Sequence, residues 1–315
     1  MSQNITALLF PGQGSQEAGM GRDLAESSKD AMALWKSAER ISGLPLREIY
    51  WEGDTEAMAD TRNLQPALTV VNMALYQFLA PHLSAACVAG HSLGEYSALV
   101  AAKVISAEDA LNIVTIRGQL MAEADPDGKG AMAAILKMPL QTVRDLVDQV
   151  AKDTGETLIV ANYNTPAQFV ISGTKGAVAE AQSRVKELKG RAIPLAVSGA
   201  FHSPLMDKAA AELRRALGRV TWRRPQCPIF CNVTGTAIID GESLADIMPR
   251  QMTSSVMWID TISNQYHSGI RQWIEIGPKG VLCKMIKPIL SATNAPEDYS
   301  TLSIGNMEQV EAFLG

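Results

Sequence analysis

Short apolar runs alternate with helical stretches along the first third of the chain. Residues 6–10 and 85–89 are apolar runs of strand length, and the residues up to 84 and from 95 to 102 show helical patterns. A glycine-containing turn at residues 11–16 follows the first run. This order predicts an α/β domain in which helices cover both faces of a mostly parallel sheet, giving three layers.

The pattern changes at a glycine-rich joint, residues 126–130. It then predicts a strand, helix, strand, strand, helix and strand at residues 131–138, 140–152, 158–164, 167–173, 176–188 and 191–197. That order is the ferredoxin-like unit. The α/β pattern resumes with a helix at residues 204–217 and strands at 228–232 and 273–276. We therefore expect a small subdomain at residues 128–198, which ends at Ser198, inserted in a large α/β domain of residues 1–127 and 199–315.

Composition narrows the classes of protein that fit. The 315 residues are 47% hydrophobic and 19% charged, which suits a globular protein with a sizeable core. The net charge of −5 argues against a nucleic-acid-binding protein. The N-terminus lacks the features of a signal peptide, and no apolar run reaches the ~18 residues of a membrane span. We therefore expect no membrane contact. The four cysteines form no C-x-x-C pair, so we also expect free thiols, a cytoplasmic location and no structural metal.

Residues 90–94, Gly-His-Ser-Leu-Gly, match G-x-S-x-G, a motif that places a serine on a sharp turn between a strand and a helix. The predicted strand before it and the predicted helix after it provide that context. The turn would present the Ser92 hydroxyl at the carboxyl edge of the sheet and at a helix N-terminus, which favours negative charge. Ser92 is therefore the candidate nucleophile, and the N–H of Leu93 is a candidate donor to an oxyanion.

A nucleophilic serine needs a base within hydrogen-bond reach. His202 lies in a loop between a predicted strand and a predicted helix and is the candidate base; a role in capping that helix is the alternative. His91 precedes the serine, so its side chain should point away from Ser92 and line the pocket. No acidic residue stands at the end of a core strand. Either the third member of a triad is missing, or a backbone carbonyl orients the imidazole.

Two further features bear on the substrate. The loop Gly12-Gln13-Gly14 could turn an N–H towards an oxyanion, although an ordinary turn fits it too, and Glu17 excludes the dinucleotide motif G-x-G-x-x-G. Arg117 lies on the apolar face of the helix that starts at the predicted capping box of Ser106. Such an arginine either extends to the surface or meets a buried anion, for example the carboxylate of an acyl substrate.

Six segments together resemble the malonyl-CoA:acyl-carrier-protein transacylases, and they occur in the same order. They are residues 10–16 (FPGQGSQ), 65–68 (QPAL), 90–99 (GHSLGEYSAL), 117–118 (RG), 200–203 (AFHS) and 275–278 (EIGP). The resemblance implies a hydrolase-like three-layer α/β domain with an inserted ferredoxin-like subdomain. It also implies ping-pong transfer of a malonyl group from malonyl-CoA to the phosphopantetheine thiol of an acyl carrier protein, without a bound cofactor.

The resemblance assigns a role to each candidate residue. Ser92 would be the nucleophile, His202 the base and Arg117 the group that holds the malonyl carboxylate. The oxyanion hole would be formed by N–H groups of Gln13 and Leu93. The main-chain carbonyl of Gln251 would orient the histidine, although residues 253–256 (TSSV) replace the Asn-Pro-Val found in many members. The pocket would be lined by Gln65 and His91, and by Phe201, which resembles the malonyl-selecting form.

Two other functions are compatible with the same residues. A serine thioesterase or esterase could use the same motif, with water resolving the acyl-enzyme, and an inactive docking module of a larger synthase is a third possibility. Five arginines in eleven residues predict a basic patch for docking a carrier protein, for which a solvated helix end is the alternative. They are Arg214, Arg215, Arg219, Arg223 and Arg224.

Overall fold

Two β-sheets organise the chain in a computed structural model, which describes residues 5–53, 55–125, 127–197 and 199–315. The strands are β1 (Thr6–Phe10), β2 (Cys87–Gly90), β3 (Gly130–Leu136), β4 (Leu158–Thr165), β5 (Gln168–Thr174), β6 (Arg191–Pro194), β7 (Ile229–Phe230), β8 (Ala237–Ile238), β9 (Gln272–Ile276) and β10 (Ser300–Ile304).

Helices connect these strands and cover both sheets. They are α1 (Arg22–Ser27), α2 (Lys29–Ser42), α3 (Leu46–Glu52), α4 (Thr55–Ala59), α5 (Thr61–Leu79), α6 (Gly94–Ala101), α7 (Ala107–Glu123), α8 (Leu140–Thr154), α9 (Lys175–Glu187), α10 (Asp207–Leu217), α11 (Gly241–Ile247), α12 (Trp258–His267), α13 (Cys283–Ala292) and α14 (Met307–Leu314). Single 3₁₀ turns lie at Ala80–His82, Pro204–Met206 and Pro278–Gly280, and a longer one at Met248–Thr253. The predicted capping box of Ser106 is present at the start of α7.

The larger sheet has the strand order β10-β9-β1-β2-β7-β8 in the described residues. The pairs from β10 to β7 are parallel, and β8 joins β7 antiparallel. Alternate residues of β1 face two different cores: Leu8 belongs to the apolar cluster that includes residues of α2, α5 and α7, whereas Leu9 belongs to the one that includes residues of α12 and α13. Burial on both faces explains why this strand is almost continuously apolar. The predicted three-layer α/β class is confirmed.

The smaller sheet has the order β4-β5-β3-β6 and antiparallel pairing in the described part of the chain. Helices α8 and α9 pack on it around a separate apolar cluster, so the predicted ferredoxin-like unit is present. The last strand ends at Pro194 instead of residue 197: Leu195 still donates to Met132 O of β3, but Val197 N then donates to Leu195 O, and this tight turn takes the chain out of the ladder. The subdomain limits at 128 and 198 stay a prediction, since Pro126 in the joint and Ser198 at the end lie outside the described residues.

Strand β4 also contacts the large domain. Val256 donates to Ala161 O at 2.8 Å, and Tyr163 donates to Val256 O at 3.0 Å. These bonds tie the segment before α12 to the edge of the small sheet. Among the described residues, no helix combines the length and the apolar character needed to cross a bilayer.

The crossing of α6 over β1 depends on glycine. A Cβ atom added at Gly94 would lie 1.9 Å from Phe10 O, and one added at Gly90 would lie 2.0 Å from Gly94 C. Both distances are far below van der Waals contact, so the backbones approach each other closely only because these side chains are absent.

We therefore expect Gly94→Ala to lower the free energy of unfolding by about 1–3 kcal/mol or more, because overpacking at this crossing forces the backbone apart. Gly218→Ala is the matched control, since its added Cβ would meet nothing nearer than 3.5 Å. Urea unfolding of both variants checks this. Equal stability of the two would show that the crossing tolerates a side chain.

Candidate active site

Ser92 lies on the turn between β2 and α6 with a φ of +50°, a left-handed conformation that is uncommon for serine. Its N–H donates to Asn232 Oδ1 at 2.6 Å, and Asn232 Nδ2 donates to Gly90 O at 2.6 Å. Asn232 follows β7, the neighbour of β2 in the sheet. One side chain thus holds both sides of the turn, which explains how the strained conformation persists.

His202 lies within hydrogen-bond distance of the serine hydroxyl. Ser92 Oγ lies 2.8 Å from His202 Nε2, while His202 Nδ1 faces Gln251 O at 3.0 Å and Ser254 O at 3.1 Å. Carbonyl oxygens only accept hydrogen bonds, so the proton of the neutral ring is on Nδ1, and Nε2 presents its lone pair to the hydroxyl. Of the two possibilities left open by the sequence, the structure therefore has the backbone carbonyl. The second carbonyl, from Ser254, was not predicted.

The position of the Ser254 carbonyl depends on the small sheet. Ser254 and Ser255 precede Val256, which is bonded to β4, and Ser255 Oγ also donates to Val160 O at 2.7 Å. His202 itself has a φ of +57° and is buried. The inserted subdomain therefore fixes the segment that orients the imidazole.

Arg117 is buried beside the serine, with 1% of its surface exposed, so the alternative of an arginine that extends to solvent is wrong. It donates to Gln65 Oε1 at 2.6 Å, to Ser92 Oγ at 3.0 Å and to Gln251 Oε1 at 3.2 Å. These three oxygens are uncharged. Burial lowers the pKa of the guanidinium, which marks an energetic cost that a bound anion would relieve.

The electrostatics also affect the histidine. Burial first, and then the charge of Arg117, lower the pKa of His202 to about 3. The imidazole is therefore neutral at physiological pH and able to accept a proton, but it is a weak base while Arg117 remains unpaired.

Glu95 completes the buried network and is not among the site residues predicted from the sequence. Its Oε2 accepts from Gln251 Nε2 at 2.5 Å, and its Oε1 accepts from Asn232 N at 3.0 Å. Burial raises the pKa of this carboxyl to about 7. Two features of the sequence could have indicated Glu95 and Asn232 as site residues. Glu95 directly follows the motif glycine, and Asn232 ends the predicted strand at residues 228–232.

A cavity of about 290 Å³ opens onto the reacting groups. Its wall includes the candidate residues Ser92, His202, His91, Phe201 and Gln13. The small sheet also contributes to it, for example with Met132 and Asn162. His91 turns away from the serine and lies 2.9 Å from Asn164 Oδ1 through its Nε2. Gln65 lies behind the cavity against Arg117 and is not on its wall.

Two backbone N–H groups are free to bind an oxyanion. In the part of the chain that the structure describes, no hydrogen bond uses the N–H of Gln13 or Leu93. The loop of Gln13 is pressed against the serine turn, because a Cβ at Gly12 would lie 2.3 Å from His91 O and 3.4 Å from Leu93 N. The two donors therefore belong to backbones in direct contact.

The five arginines predicted for docking do not line this cavity. Arg223 N donates to Val104 O, just beyond the C-terminal end of α6, whereas Ser92 lies at its N-terminal end. An eight-residue helix separates the two positions by about 12 Å along its axis. The structure adds no support for docking there, which stays a prediction.

Comparisons with known proteins agree with this geometry. A family model described as acyl transferase domain matches residues 7–310. The malonyl CoA-acyl carrier protein transacylase of Bacillus subtilis is 40% identical over 307 residues, covering 97% of this chain and 95% of its own length. An acyl carrier protein S-malonyltransferase from Vibrio cholerae superposes with a TM-score of 0.90 at 35% identity, covering 98% of this chain and 99% of that one.

A third similar protein is a malonyl-transacylase solved in complex with its type II PKS acyl-carrier protein. It has a TM-score of 0.90 and 33% identity, with 98% of each chain covered. These similarities confirm the resemblance found in the sequence.

We expect NMR of the His202 ring to show a neutral imidazole, protonated at Nδ1, from pH 5 to 8, because burial and Arg117 lower its pKa. The unfolded histidine has a pKa of about 6.5. The buried neutral ring therefore contributes its full stability above ~6.5 and loses it as pH falls towards the folded pKa. Arg117→Gln should raise the pKa of His202. A titration midpoint near ~6.5 in the unmodified protein would contradict this description.

Proposed function

This chain belongs to the acyl transferase domain family, and from that premise we propose that it transfers a malonyl group from malonyl-CoA to the phosphopantetheine thiol of an acyl carrier protein. The observation that carries the proposal is the buried guanidinium of Arg117, 3.0 Å from the hydroxyl of Ser92. A serine paired with histidine accepts acyl groups, and an arginine among uncharged partners binds the carboxylate of an acyl group that carries one. Fatty-acid or polyketide synthesis would use the product.

Acylation begins when Ser92 Oγ attacks the thioester carbonyl and its proton moves to His202 Nε2. The oxyanion that develops accepts hydrogen bonds from the N–H groups of Gln13 and Leu93. Collapse of the tetrahedral intermediate breaks the C–S bond, and the CoA thiolate takes the proton from His202. The thiol of the carrier protein then repeats the steps in reverse, attacking the malonyl-Ser92 ester.

The malonyl carboxylate has a second effect in this mechanism. In the free enzyme, Arg117 donates to Ser92 Oγ and so engages a lone pair of the attacking atom. A carboxylate that pairs with Arg117 would draw this donor away and neutralise the charge that lowers the pKa of His202. Malonyl-CoA would therefore strengthen both the nucleophile and the base, which acetyl-CoA cannot do.

A thioesterase would share Ser92 and His202, but it has no need for a buried arginine facing the acyl chain.

All four cysteines lie in the described residues and are free, which supports the reducing cytoplasm as the location. The arginine cluster at residues 214–224 stays a prediction for carrier docking.

Mass spectrometry after incubation with malonyl-CoA tests the reaction. We expect one malonyl group on the peptide that contains Ser92, lost again when a holo carrier protein is added. Ser92→Ala should take no label, and His202→Ala should be acylated about a hundredfold to ten-thousandfold more slowly. Ser97→Ala, one turn further along α6, is the control and should be labelled normally. Release of free malonate in place of a stable adduct would favour the thioesterase, and no reaction would favour an inactive module.

Arg117→Ala should lower kcat/KM for malonyl-CoA by roughly thirtyfold to several thousandfold. Losing one partner of a buried charge pair costs about 2–5 kcal/mol, and each ~1.4 kcal/mol is tenfold in rate. The slow reaction of acetyl-CoA should hold steady or improve. Arg40→Ala, which removes an exposed arginine paired with Glu108, is the control. Equal losses with both substrates would mean that Arg117 supports the structure and does not select the substrate.

A further inference from the structure

Glu95 is a buried carboxylate that contacts none of the reacting atoms but holds two residues, Asn232 and Gln251, that are bonded to Ser92, Arg117 and His202. It lies in the first turn of α6 and has no exposed surface. Both of its oxygens accept hydrogen bonds, one from the N–H of Asn232 and one from the side-chain amide of Gln251. The structure therefore uses Glu95 as an acceptor on both sides, which fits the ionised form.

Its two partners are hydrogen-bonded to the residues Ser92, Arg117 and His202. Asn232 holds the turn of Ser92 through the serine N–H. Gln251 donates to Ser92 O at 2.9 Å through Nε2, accepts from Arg117 through Oε1, and holds His202 with its main-chain carbonyl. Glu95 is thus one hydrogen bond away from the residues that orient the serine, the histidine and the arginine.

We propose that ionised Glu95 is a positioning residue that sets the direction of the Gln251 amide and so aligns Arg117 and Ser92 for the reaction proposed above. A carboxylate requires the NH₂ group of Gln251 to face it, which leaves the amide oxygen for Arg117. A neutral hydrogen-bond donor at position 95 would favour the opposite amide orientation and would leave Ser92 O as the acceptor that opposes it. The NH₂ group would then face the guanidinium, donor against donor.

Protonation of Glu95 should have the same effect as its replacement. The charged or titratable groups around it are Arg117 from α7, Cys231 beside Asn232, the neighbouring Tyr96, and His202 beyond Gln251. Burial raises the pKa of Glu95 to about 7 against the opposing effects of Gln251 and Arg117. The carboxylate form is then lost as pH falls through this value, while the buried His202 stays neutral. Acylation should therefore decline on the acid side through Glu95.

The experiment compares the wild-type protein with Glu95→Gln, which keeps the shape and removes the charge. Glu275→Gln is the matched control: Glu275 is equally buried in the large sheet, but it accepts from Cys283 N instead of from the serine network. Three readouts are taken: the ratio of kcat/KM for malonyl-CoA to that for acetyl-CoA, the pH profile of acylation, and the rate at which phenylmethanesulfonyl fluoride modifies Ser92.

We expect Glu95→Gln to lower the selectivity ratio and the sulfonylation rate by about tenfold to a hundredfold, the size of effect that misplaced reacting groups produce. The acid limb of the pH profile should disappear, while Glu95→Asp, which keeps an ionisable acceptor, should retain it. Glu275→Gln should lower the melting temperature without changing the ratio or the profile. If Glu95→Gln does not fold, Gln251→Leu serves in its place, since it cuts the same link to Arg117 and should lower the ratio equally.

A Glu95→Gln enzyme, or Gln251→Leu in its place, that keeps either the wild-type ratio or the wild-type sulfonylation rate overturns the proposal, whatever its melting temperature. Wild-type protein that fails to react with malonyl-CoA would contradict the proposed function instead. In that case, the sulfonylation rates of wild type and Glu95→Gln still decide the role of Glu95, because that reaction requires no acyl donor.

Discussion

A positive charge held without an acidic contact beside a serine hydroxyl is the constraint on which the rest of the site depends. An isolated buried cation is expensive, and the described residues offset this cost with uncharged oxygens around Arg117 and with Glu95 one amide further away. A carboxylate in direct contact would stabilise the arginine better, but it would occupy the position that an anionic acyl group needs. We therefore propose that the site is arranged for a charge that arrives with the substrate.

The site uses both sheets of the fold. The large sheet brings Ser92, Asn232 and the loop of Gln13 together at the carboxyl ends of adjacent strands, where α/β folds place their ligands. The small sheet closes the cavity with residues such as Met132 and, through β4, fixes the segment whose Ser254 carbonyl faces His202. The hydrogen-bond partners of Arg117, by contrast, all lie outside the small sheet. The contact of β4 with the segment that carries Ser254 therefore affects the orientation of His202.

The sequence predicted the elements and the main site residues because their signals are local. The serine turn lies within five residues, β1 agrees residue for residue, and the period of α7 placed Arg117 on a buried face. The contacts of Asn232, Ser254 and Glu95 could not be predicted, because they depend on the strand order and on a loop tied to the small sheet. Likewise, Gln65 was expected on the cavity wall but packs behind Arg117, a matter of side-chain direction that sequence spacing does not determine.

A crystal structure of the malonyl-enzyme is the most direct test of the claim that Arg117 binds the carboxylate of the acyl group. We expect an ester on Ser92 whose carboxylate lies about 3 Å from both terminal nitrogens of Arg117, with the arginine withdrawn from the serine oxygen. A carboxylate that points away from Arg117, towards the small sheet or the cavity mouth, while the arginine keeps its contact with Ser92, would contradict it.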